Sequence, residues 1–214
     1  MRTPLLPAWF RTSMVLFATG SAATAAGCSS TGSNADIAGS FPYCGPAASC
    51  PASVEGVDLD APVVSFQNDV FPIFQQSCND TACHGSTNNP AGELYLGPES
   101  ATPSSAELAN VVSALITTPS AIGPEGTLGV VAGDWQKSFL MLKVDGCQND
   151  VGLDCSGDAK ANQDSACDPP EPCGDGMPQL DQEDADSLGT DPFPLGEDQR
   201  HTIRRWIHQG AQNN

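Results

Sequence analysis

"VSFQNDVFPIFQQSCNDTACHGS", residues 64–86, decides how this chain folds. Its first half is apolar at Phe66, Val70, Phe71, Ile73 and Phe74, a spacing that predicts an amphipathic helix. Pro72 must kink that helix or sit in its first turn, because it has no N–H and its ring crowds the preceding turn. The second half places four residues between Cys78 and Cys83, and His84 follows at once. Two thiols and an imidazole after an apolar helix form either a chemical site or a disulfide beside an ordinary histidine. The stretch alone leaves both open.

Further helices follow from periodicity and end signals. Ser104-x-x-Glu107 reads as a capping box before Leu108, Val111, Val112 and Leu115, which share one helical face. Lys137 to Val144 reads as a short helix capped by Ser138. The last helix is the clearest. Glu197 and Asp198 favour its start, Arg204, Arg205 and His208 favour its end, and Ile203, Trp206 and Ile207 form its stripe. Gly210 can stop it. With no convincing strand, the expected class is all-α with long loops. Hydrophobic residues make up 39% of 214 residues, enough for one compact core, while 21 Gly and 18 Pro point to polar excursions from it.

The N-terminus lies outside that core. Arg2 and Arg11 flank a small, apolar stretch running to Ala26, which reads as an export signal over residues 1–27. The Ala25-Ala26-Gly27-Cys28 junction, followed by a Ser/Gly tail, resembles a bacterial lipobox. That resemblance implies lipid on Cys28 and a membrane anchor outside the cytoplasm, in the periplasm or at the cell surface. Residues 28–62 are rich in Ser, Gly, Ala, Pro and Asp and read as a flexible tether. Residues 63–214 are the expected domain, with an acidic, disulfide-rich insertion at about 145–171.

Arg2 and Arg11 are two of the eight basic residues, so the exported chain keeps six against 26 acids, a formal charge of −20. Such a chain does not bind nucleic acid through phosphates, and it steers towards basic partners. Asp154, Asp158, Asn162 and Asp164 are possible oxygen ligands for Ca²⁺, but their spacing is not that of an EF-hand, and a solvated acidic loop is the better reading.

Nine cysteines are an odd number for an exported chain. Assigning Cys28 to lipid and Cys78 and Cys83 to a cofactor leaves Cys44, Cys50, Cys147, Cys155, Cys167 and Cys173 for disulfides, as an oxidising compartment favours. Cys44 and Cys50 are neighbours and are expected to pair; the order of the other four stays open. A Cys78–Cys83 disulfide would close the count equally well.

Covalent haem needs two thiols for its vinyl groups and a histidine for its iron, and a Cys-His dipeptide holds the imidazole beside the second thioether. Cys83-His84 supplies that dipeptide, and Cys78 must reach the other vinyl across Asn79-Asp80-Thr81-Ala82. Zinc is the weaker alternative, since no second ligand pair stands out.

Four segments, in order, resemble the exported c-type cytochrome domains of myxobacterial and planctomycete proteins. They are the opening helix with Cys78 and Cys83-His84, "VAGDWQKSFLMLKV" from Val131 to Val144, "CGDGMP" from Cys173 to Pro178, and "RHTIRRWIHQGA" from Arg200 to Ala211. The widened cysteine spacing and the acidic insertion depart from that pattern. The resemblance implies a cytochrome c-like fold around one covalent haem c. It makes Cys78 and Cys83 the thioether residues, His84 the proximal iron ligand and Met177 the distal one. It also implies that the first and last helices cross and bury Phe71, Phe74, Trp206 and Ile207 against the haem edge. Met141 sits in an apolar helix and reads as core. His201 and His208, beside arginines, read as surface residues.

His/Met ligation suits one-electron transfer. The expected function is therefore a mono-haem electron carrier, not an enzyme, meeting a redox partner with a basic docking face. A haem-free, disulfide-rich surface lipoprotein acting as a binding or structural module is the alternative. If Met177 does not ligate, an open distal position would suit a haem sensor.

Overall fold

The computed structural model describes residues 50, 52–81, 83–121, 123–151, 176–178 and 195–214. Among these, the chain is all-α. It has α1 (Phe71–Ser77), α2 (Ser105–Thr117), α3 (Phe139–Asp145) and α4 (Glu197–His208), with short 3₁₀ turns and one isolated bridge between Pro119 and Leu128. The export signal, Cys28, Cys44, Cys155, Cys167, Cys173 and the four possible Ca²⁺ ligands lie outside the described residues.

Proline sets the opening helix. Phe66–Val70 is wound in π register, with the Phe71 N–H bonding back to the Phe66 carbonyl, and α geometry begins at Phe71 with Pro72 in its first turn. Pro72 has no N–H for the Asn68 carbonyl, so the wider register takes over where the ordinary bond is missing. The Ser65 hydroxyl accepts from the Asn68 N–H and caps the turn.

Phe66 is fully buried at the crossing of this helix with α4. Its ring centroid stands 5.0 Å from that of Trp206, 6.0 Å from Phe74 and 6.3 Å from Phe71. Leu108, Val111, Val112 and Leu115 all face the same core, as their spacing predicts, and Met141 is buried there too. Residues 128–130 tie α2 to α3: Val130 N–H donates to Leu115 O, and Phe139 and Leu140 donate to Leu128 and Gly129. Gly133 N–H donates to Ile207 O at 2.7 Å and seats the preceding turn on the end of α4.

Two caps differ from expectation. The Ser104 hydroxyl accepts from the Glu107 N–H, but the Glu107 carboxylate accepts from the Tyr95 hydroxyl at 2.8 Å. Burial first, and then that carboxylate, push the Tyr95 phenol up to about 12. The Ser138 hydroxyl makes no cap bond to α3. It accepts from Val131 N–H and donates to Asp134 O, each at 2.8 Å, and so fastens the loop before the helix. α4 ends as expected, with Gly210 at φ +101°, a conformation that costs a residue with a Cβ.

Three further expectations are corrected. The stretch 52–62 is not free tether: Gln209 donates to Leu59 O and Pro62 O, Arg205 donates to Asp58 O, and Val54 and Leu59 pack on the core. Laying this stretch across α4 carries Cys50 to the end of α3, where it pairs with Cys147 and not with Cys44; the Cα atoms are 5.6 Å apart. The third concerns His201, expected at the surface, whose neighbour Arg204 turns inward. Arg204 is buried and donates to both oxygens of Asp145, at 2.8 and 2.7 Å, with its guanidinium 4.9 Å from the Trp135 ring centroid. His201, at the edge of that inward face, is only 13% exposed.

Candidate functional site

α1 runs out at Cys78, whose N–H donates to Phe74 O at 2.8 Å. The chain then turns back on itself. Asp80 O accepts from both Cys83 N–H and Gly85 N–H, each at 2.9 Å, and Cys78 O accepts from His84 N–H at 3.2 Å. The four residues between the cysteines are therefore a folded turn, and Cys78 and His84 stand side by side although six positions apart. A Cβ on Gly85 would overlap the Asn79 carbonyl oxygen and lie 2.7 Å from its carbon, so only glycine lets the turn close.

A second segment clamps this turn. Ala91 N–H donates to Cys83 O at 2.8 Å, Leu96 N–H donates to His84 O at 3.0 Å, and the buried Asn79 amide donates to Leu96 O at 3.1 Å. Asn79 Oδ1 is buried without a hydrogen-bond partner among the described residues. Gly97 follows at φ +114°, and a Cβ there would meet Cε2 of Phe71 at 2.5 Å. Glycines at 85 and 97 thus hold the turn against α1.

The His84 ring is tied to the Leu94 carbonyl, 2.8 Å from Nδ1. A carbonyl only accepts, so Nδ1 carries the proton and the lone pair of the neutral ring is on Nε2. Burial holds His84 below the usual imidazole range. The Leu94 and Ala91 backbone bonds oppose that shift, and the Lys143 charge adds to it. A histidine whose folded pKa is depressed favours the neutral ring. Its contribution to stability is complete above about pH 6.5 and is lost as pH falls through the lowered folded value. In the chain with no group bound at Nε2, an NMR titration of the His84 ring should give a midpoint below 6.5, and His84→Asn should flatten the loss of stability over that window. A midpoint at or above 6.5 would mean that the ring is not desolvated.

Lys143, buried on α3, links Met177 to this place. Its charge acts on His84, and its carbonyl accepts from the Met177 N–H at 2.9 Å. Met177 is partly buried, between buried Gly176 and Pro178. Among the described residues no group of three or more His, Cys, Asp or Glu is arranged to hold a metal ion, and no helix is long and apolar enough to cross a membrane.

The two cysteines differ. They are not joined to each other: Cys83 is disulfide-bonded, and its partner is not Cys78. A sulfur held in a disulfide cannot also form a thioether. The Nε2 lone pair of His84 is of the kind an iron would accept, whereas Cys83 would meet a vinyl group only as a thiol. Asn79, Gly85, Leu94 and Lys143 were not legible as site residues. Only the glycine directly after Cys83-His84 carried a signal, a backbone position where no side chain fits. No protein-family model, curated protein or solved structure matches this chain.

Proposed function

We propose that this chain is an exported mono-haem c-type cytochrome that passes single electrons. The observation that carries this reading is His84. It follows an amphipathic helix at a cysteine turn, is partly buried, and has Nδ1 bound to a backbone carbonyl so that Nε2 is left as the basic nitrogen. A backbone acceptor behind a ligating imidazole fixes the tautomer and the ring orientation. Two further features support the reading: the opening helix crosses α4 through Phe66 and Trp206, and Met177 is bonded to the residue whose charge reaches His84.

In this reading the fold is cytochrome c-like, with His84 as proximal and Met177 as distal ligand, and Cys78 and Cys83 are the thioether residues, Cys83 only once its disulfide is opened. The haem supplies a one-electron couple. The chain supplies the axial ligands and a surface of strong negative charge that meets a partner with a basic docking face in a brief, salt-sensitive encounter. Lipid on Cys28 holds it to a membrane outside the cytoplasm.

One observation favours a second reading. Cys83 in a disulfide, together with the Cys50–Cys147 disulfide, suits a haem-free, disulfide-rich surface module with a binding or structural role. Absorption and intact mass of the exported full chain separate the two. The cytochrome reading expects a sharp reduced α-band and one haem retained through denaturation, and a colourless protein of unmodified mass overturns it. Met177→Ala should change the spectrum of the loaded protein and lower its potential; an unchanged spectrum removes Met177 as ligand.

A further inference from the structure

We propose that Tyr95 and Glu107 are positioning residues for His84: the hydrogen bond between them holds the Leu94 carbonyl against Nδ1 and so aims Nε2. The inference rests on the reading above only in taking His84 as the working group, and it needs no haem to be tested. Three observations carry it.

The first is the backbone that presents the carbonyl. Leu94 is extended and directly follows Glu93, which stands at φ +58°. A residue with a Cβ keeps that left-handed conformation only where its surroundings hold it there. The carbonyl that lies 2.8 Å from Nδ1 is therefore set by a strained bend that needs an anchor.

The second is where the anchor is. Ala91 and Leu96 bond to Cys83 O and His84 O, which belong to the histidine turn itself and would move with it. Tyr95 reaches outside that turn. Its hydroxyl donates to Glu107 Oε1 at 2.8 Å, in the first turn of α2. The buried Leu108 and Val111 seat that end of α2 in the core, so the carboxylate stands on a fixed support. Packing alone leaves the stretch more freedom, since Leu94 and Tyr95 are only partly buried.

The third is the use made of Glu107. In a capping box its carboxylate would reach back to the Ser104 N–H. Here the Ser104 hydroxyl caps the Glu107 N–H, while the carboxylate turns to Tyr95. The helix forgoes half of its cap for a bond that serves the segment behind His84.

The test is the full-length chain, wild type beside Tyr95→Phe, Glu107→Ala and Glu107→Gln, read by NMR of the His84 ring nitrogens and by exchange of the Nδ1 proton with solvent. Wild type is expected to hold one protected Nδ1 proton. Tyr95→Phe and Glu107→Ala should speed its exchange on the order of tenfold, the factor that goes with losing one hydrogen bond. In the chain with nothing bound at Nε2 they should also admit the Nε2–H tautomer. Glu107→Gln keeps a carbonyl acceptor for the Tyr95 hydroxyl and should retain the wild-type ring signals. A pair that only holds α2 would lower the unfolding midpoint and leave the ring signals of the folded protein unchanged, and that result overturns the proposal. The wild type alone supplies a second check, even where a variant fails to fold. Its Tyr95 phenol should ionise at about 12, and ionisation at the ordinary value of about 10 would mean that the bond to Glu107 is not made and overturns the proposal. The Nδ1 proton is read whether or not Nε2 is bound to iron, so a chain without haem overturns the cytochrome reading and leaves this inference standing.

Discussion

Replacing Asp145 by alanine is expected to cost about 3–5 kcal/mol of folding stability, the range for removing one partner of a buried ion pair. Asp145 closes α3, and its carboxylate is the acceptor for the Arg204 guanidinium, whose side chain is 1% exposed. Arg200 reaches the same carboxylate at 3.4 Å and is 25% exposed. Without Asp145, Arg204 would sit against the Trp135 ring with its charge desolvated and no carboxylate to face. The loss exceeds that of a surface pair several-fold, because water cannot replace the missing acceptor. Denaturant unfolding should show the effect directly, and thermal unfolding should show a fall in midpoint on the order of 10 °C. The double substitution Asp145→Leu with Arg204→Leu should recover most of the loss, since it removes the stranded charge along with the pair. A single Asp145→Ala variant within about 1 kcal/mol of the parent would show that this pair does not hold α3 to α4.

The second large effect concerns the disulfide between Cys50 and Cys147. It joins positions 97 apart and encloses α1, α2 and α3 in one loop. Constraining an unfolded loop of that length is worth about 4–5 kcal/mol on the chain-entropy model, against roughly 2 kcal/mol for the short loop that a Cys44–Cys50 pair would close. Cys50→Ala with Cys147→Ala should therefore lower unfolding free energy by about 4–5 kcal/mol. The same loss should appear on reduction, provided that the other disulfides are absent or accounted for by mass. Cys44→Ala alone should leave the Cys50–Cys147 cross-link in place, as a non-reducing peptide map would show. A cross-linked peptide containing Cys44 and Cys50 would refute the pairing.

The two effects act at one place. Asp145 and Cys147 are two residues apart, on either side of Gly146, which ends α3 in the left-handed conformation at φ +73°. One residue binds α4 through charge and the other binds the N-terminal stretch through sulfur. The turn carrying His84 depends less on such long-range pairs. Its parts are held by backbone hydrogen bonds and by two glycines that cannot carry a Cβ, so substitutions there are expected to disturb the site before they unfold the domain.

What the sequence determined by itself is local. The helices at 105–117, 139–145 and 197–208 were legible because apolar spacing and end residues act within a few positions of each other. Pro72 announced the disturbed opening helix, since a missing N–H is a property of the residue alone. The positions of Cys78, Cys83 and His84 were legible for the same reason. What the tertiary structure alone decided is pairing across distance. Nothing in the neighbourhood of Arg204 distinguishes it from Arg205, yet one is buried on Asp145 and the other donates to Asp58 O. Which cysteine Cys50 meets depends on where the 52–62 stretch is laid, and Gln209, almost 150 positions away, holds it there. The His84 tautomer is set by the Leu94 carbonyl, and the difference between Cys78 and Cys83 is set by a disulfide. Residue identity and spacing encode helix faces and the order of reactive groups. Partners chosen by packing emerge only when segments remote in sequence compete for the same buried place.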